Sequence, residues 1–127
     1  MQKQQALLMF LLLSCLVAVQ GCHAVAVGAG AGTAAYIMGK LQTVEAEDLN
    51  TVYKAAEKAI GDLELTVSKK TKDAMSAEIT ARDSEDKKIK INLDATAEGT
   101  TKLSIRVGIF GNETKSRLIY EQIKKHL

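Results

Sequence analysis

Lys88-Ile89-Lys90-Ile91-Asn92-Leu93-Asp94 and Lys102-Leu103-Ser104-Ile105-Arg106-Val107-Gly108-Ile109 decide the fold. In both stretches apolar and polar residues alternate one by one. Extended chain sends successive side chains to opposite faces, so Ile89, Ile91 and Leu93 share a face, as do Leu103, Ile105, Val107 and Ile109. Strands with one greasy and one polar face belong to an antiparallel sheet covered on one side. The polar residues 97–100 between them are hairpin-length.

The pattern extends upstream. Met75, Ala77, Ile79 and Ala81 alternate with Ser76, Glu78, Thr80 and Arg82, and Leu63, Leu65 and Val67 alternate with Glu64, Thr66 and Ser68. Residues 69–73 and 83–86 read as polar connectors, which predicts a four-strand meander. Residues 36–45 predict one further strand, weakened by Gly39 and a candidate sheet edge. Asp48 is a plausible N-cap for a helix carrying Leu49, Val52, Tyr53, Ala56, Ala59 and Ile60 on one side and Lys54, Glu57 and Lys58 on the other, stopped by Gly61. Asn112 caps a last helix, with Glu113 in its first turn and Ile119, Ile123 and Leu127 as its stripe, Leu118 beside them. Lys124, Lys125 and His126 sit at its C-terminal end, where the helix dipole favours cations. The expected fold is α+β: a two-layer sandwich in the order β-α-β-β-β-β-α, with two helices on one face of an antiparallel sheet.

The chain has 127 residues, enough for one small domain. Lys and Arg number 17 against 15 Asp and Glu, so bulk positive charge does not speak for a nucleic-acid partner, and none is expected. Aromatics are 4% with no Trp, too few for a stacking platform.

The N-terminus is different in kind. After a polar start with Lys3, residues 6–19 carry no charge and no polar stripe. A spanning helix needs roughly 20 apolar residues, so a cleaved leader is the better reading. Val19-Gln20-Gly21-Cys22 follows and resembles the lipobox of bacterial lipoproteins. The resemblance implies cleavage between Gly21 and Cys22, a diacylglyceryl group on the Cys22 thiol and acylation of the new amino group. Two rivals stay open: an ordinary secretory signal, and cleavage before Cys15 within Leu12-Leu13-Ser14-Cys15. With Cys22 as the modified residue the mature chain has no second cysteine. Two or three acyl chains hold firmly where one would be marginal. His23 stands where an Asp would favour retention at the inner membrane, so the resemblance implies the outer membrane, facing the periplasm.

Residues 23–35 are small, uncharged and glycine-rich. Gly28-Ala29-Gly30-Ala31-Gly32 is followed by Thr33, which breaks a dinucleotide fingerprint, and Gly39-Lys40 is followed by Leu41, which breaks a phosphate loop. Gly28 and Gly32 form a GxxxG spacing, a glycine-zipper alternative to a plain tether. The domain plan is therefore leader 1–21, acylated Cys22 with a tether over 22–35, and an α+β domain over 36–127.

Chemistry is sparse. His23 and His126 lie at opposite ends with no ligand-spaced neighbour, so no metal site, catalytic residue or cofactor is expected. Asp83-Ser84-Glu85-Asp86 lacks the glycine and spacing of a calcium loop. The candidate binding surface is the polar sheet face, with Arg82, Lys88, Lys90, Lys102 and Arg106, to which lipid head groups or peptidoglycan are the natural partners. Lys90 is expected near Arg106 or Lys102. The bland alternative is a water-facing sheet with balanced charge.

Nearly the whole chain resembles small bacterial lipoproteins classed as a domain of unknown function. The features that carry this are Gly21-Cys22, the Val/Gly/Ala-rich residues 24–32, Tyr36, and Ser104-Ile105-Arg106-Val107-Gly108-Ile109-Phe110-Gly111. The resemblance implies the envelope address and the architecture and brings no catalytic residues; taken with the sparse chemistry, the chain is expected to be a lipid-anchored, non-enzymatic envelope protein, membrane-held through its acyl chains, that binds or supports an envelope protein, lipid or peptidoglycan. The alternative is a carrier of a lipid or envelope glycan in a groove between helices and sheet.

Overall fold

A two-residue turn at Met38-Gly39 reverses the chain where one strand was expected. Both residues have positive φ, 52° and 77°, the combination that matches the twist of a tight hairpin. Residues 36–45 therefore form two strands, β1 (Ala35–Ile37) and β2 (Lys40–Glu45), with Tyr36 opposite Leu41. The computed structural model describes residues 2–5, 34–96 and 99–127; residues 2–5 are helical. The chain divides into two units, residues 1–30 and 31–127, and the second carries the fold. Cys22, Gly21, residues 6–20 of the leader and most of the tether lie outside the described residues.

After β2 come α1 (Leu49–Asp62), β3 (Thr66–Lys72), β4 (Ser76–Arg82), β5 (Lys88–Ala95), β6 (Thr101–Val107) and α2 (Glu113–Lys124). The six strands make one antiparallel sheet in the order β1-β2-β6-β5-β4-β3. β3 to β6 form the expected meander, β2 closes against β6, and β1 is an edge. Both caps act as read: Thr51 N–H donates to Asp48 Oδ1 at 2.8 Å and Lys115 N–H to Asn112 Oδ1 at 2.9 Å.

The core follows from register. Leu41 lies opposite Ile105, Ile105 opposite Ile91, and Ile91 opposite Ile79, so a row of fully buried side chains crosses four strands. α1 packs on β4 and β5, α2 on β2 and β6, and the helices pack on each other. They bring Val52, Ala56, Ala59, Ile119 and Ile123 into one cluster with that row. Among the described residues no helix is long and apolar enough to cross a membrane.

Several boundaries differ from expectation. The strand expected over 63–68 runs instead from 66 to 72 and takes in most of the 69–73 connector. A bulge at Ser68 shifts its phase, so Lys70 rather than an apolar residue lies opposite Ile79. Lys70 satisfies itself by reaching Glu57 of α1 at 2.9 Å. Gly61 lies inside α1, not at its end. Met75 and Ile109 fall beyond their strands and are exposed, as is Leu118, while Tyr120 and Ser116 join Ile119 and Ile123 on the buried side of α2.

Candidate functional site

The polar face is built by the same register that builds the core. Arg106 lies opposite Lys90, and Arg82 opposite Lys88. Lys40 precedes the Leu41–Ile105 pair and Arg106 follows it, so Lys40 extends the Arg106–Lys90 row onto β2. Lys102 stands apart, opposite Asp94 and Val44. Four of the five sequence-derived candidates thus gather at one corner, and Lys102 does not. Between them, Thr80 and Ser104 are short enough to be buried under longer neighbours.

An open groove of about 670 Å³ occupies this corner, lined by Arg82, Lys88, Lys90, Arg106 and the loop from Gly108 to Asn112. Its lining carries five cations, counting Lys87, against one carboxylate, Asp86. Lys90 is 3.1 Å from Glu78 and Arg82 is 3.3 Å from Asp86, whereas Lys88 has no ion pair among the described residues. Arg106 donates through Nη2 to the Ile109 carbonyl oxygen and so braces the loop. A second groove of about 470 Å³ crosses the middle of the face and is polar, with Gln42, Glu78, Asn92 and Lys102 among its walls.

A lysine of α2 ties that helix to the β4–β5 turn, which also carries Asp86 and Lys87 of the groove lining. Lys115 Nζ lies 2.8 Å from Asp83 Oδ2 and 2.6 Å from Glu85 Oε2, which ties the first turn of α2 to the β4–β5 turn. Hydrogen bonds from Lys115 hold the Asp83 and Glu85 carboxyls below their usual range. The acidic run is therefore a turn closed by its own backbone and by Lys115: Asp83 Oδ1 also accepts from the Glu85 and Lys87 N–H groups, each at 2.9 Å. Among the described residues no group of three or more His, Cys, Asp or Glu is arranged to hold a metal ion.

A family model matches residues 5–126. The chain belongs to the family described as Protein of unknown function (DUF3568). Among curated proteins none matches it.

In this DUF3568 chain a second polar group lies inside the domain. Thr43 and Glu45 of β2 are buried with Ser116 and Tyr120 of α2. Burial first, with the neighbouring Glu45 adding to it, pushes the Tyr120 hydroxyl up to about 12. Glu45 Oε1 and Ser116 Oγ have no hydrogen-bond partner among the described residues. None of these four residues lines either groove.

Sequence reasoning missed the apolar part of the corner. Alternation places Ile109 with the core and says nothing of Phe110, yet both stand in solvent. The available signal was two consecutive large apolar residues between Gly108 and Gly111, which no alternating strand accommodates.

Proposed function

We propose that this chain is a lipid-anchored protein of the bacterial envelope, held at the outer membrane and facing the periplasm, whose domain is a non-enzymatic binding or structural module. The observation that carries this is Val19-Gln20-Gly21-Cys22 closing an uncharged apolar stretch, a short glycine-rich linker ahead of a domain that buries its own core. Acylated Cys22 is the attachment point, and residues 23–34, fully extended, reach roughly 40 Å. In the finer architecture, α1 and α2 form one layer over one face of the sheet and leave the cationic face free for an envelope partner.

The carrier alternative needs room between helices and sheet. Val52, Leu41, Ile105 and Ile123, which meet there, are fully buried in a continuous cluster, which favours the module. Cys22→Ser decides the anchor: the variant is expected to lose acylation by mass spectrometry and to leave the membrane fraction. Unchanged fractionation with an unmodified residue 22 overturns the reading.

A further inference from the structure

Four large apolar side chains stand in water at one corner of the domain: Ile37 at 53%, Met38 at 90%, Ile109 at 82% and Phe110 at 92% exposure. They come from two segments that touch. A Cβ on Gly39 would lie 3.0 Å from the Phe110 carbonyl oxygen, so the β1–β2 turn backs directly on the β6–α2 loop. Adjoining them on the polar face are Lys40, Arg106, Lys90 and Lys88. Lys40 and Lys88 have no ion pair among the described residues. Arg106 spends a donor on the Ile109 carbonyl, so a cation of the face also fixes the apolar loop.

Apolar tips bordered by uncompensated cations match one surface in both respects. The boundary of a bilayer accepts Phe, Ile and Met side chains, and anionic phosphates a few ångströms outside it attract Lys and Arg. We propose that this corner docks onto a bilayer surface carrying anionic phospholipids, with Met38, Ile109 and Phe110 entering the headgroup layer and Lys40, Lys88 and Arg106 meeting phosphates. The inference deepens the lipid-anchored reading and rests on it for proximity: the linker keeps the corner within reach of the membrane. The acyl chains would then hold the protein, and the corner would orient it.

The full chain has no Trp, so Phe110→Trp supplies a single reporter. The probe is vesicles of phosphatidylcholine alone or mixed with an equal part of phosphatidylglycerol, each with brominated acyl chains. In the mixed vesicles the reporter is expected to shift to shorter wavelength and be quenched, while Leu118→Trp, exposed on α2, is not. Adding Lys88→Gln should weaken docking about fivefold. An unquenched reporter in chains that still sediment with vesicles overturns the docking and leaves the anchor standing. Equal quenching of both reporters also overturns it. So does a shift that grows with protein concentration in lipid-free buffer, which would assign the corner to a second copy. The anchor itself is judged separately, by the Cys22→Ser fractionation.

Discussion

Gly111 sits against Gly39 so closely that a Cβ on Gly111 would collide with the Gly39 carbonyl oxygen and stand 2.5 Å from the Tyr36 hydroxyl. With φ at +83°, Gly111 also holds a backbone conformation that side chains resist. The contact locks the first hairpin to the loop that precedes α2, two segments more than 60 positions apart in the chain.

Gly111→Ala is therefore expected to cost about 2 kcal/mol or more, the left-handed strain plus the displacement of Gly39 and Tyr36. Gly108→Ala is the control. It has a similar φ, +74°, but nothing within 4 Å of a new Cβ, so it should cost only about 1 kcal/mol. Denaturant unfolding of the two variants gives the comparison, and equal losses would show that the close approach contributes nothing.

Tyr120 predicts an alkaline limit. Its folded value, about 12, lies above the ordinary 10.0, so the folded state holds the proton more tightly than the unfolded one. The stability it supplies is full below pH 10 and falls as pH rises from there toward 12. Midpoints of chemical unfolding should decline across that window in the native chain and decline less in Tyr120→Phe. Parallel profiles would mean that Tyr120 ionises alike in both states.

Lys115 predicts an acid limit of opposite sign. Asp83 and Glu85 have lowered folded values, so their stabilisation is present above the usual carboxylate range and lost as pH falls through the depressed values. Lys115→Met should flatten the acid limb of a melting-temperature profile. An acid limb as steep as that of the native chain would show that the lysine does not set these carboxyls.

Elements with one buried face were legible in the sequence, because burial imposes a period. β4, β5 and β6 alternate since Ile79, Ile91 and Ile105 must all point at the helices, and Asp48 and Asn112 announce their helices by capping chemistry. β3 was displaced because it is exposed along its whole length and a bulge at Ser68 breaks its phase, so no period survives. The first hairpin was hidden because Met38 is a poor turn residue and only Gly39 signalled the reversal. Arg82, Lys88, Lys90 and Arg106 were found from alternation alone, but their convergence needed register, and Lys102 had to be set apart once Asp94 proved to face it. The apolar corner was easy to miss because Ile109 looks like one more inward residue until the strand is seen to end at Val107.

An open sheet edge offers unpaired backbone groups to a second copy and invites polymerisation strand by strand. Here one outer strand is only three residues long, and the other turns Lys70 and Lys72 to the side where a neighbour's greasy surface would have to lie. Neighbouring copies could therefore stand shoulder to shoulder without zipping into fibrils.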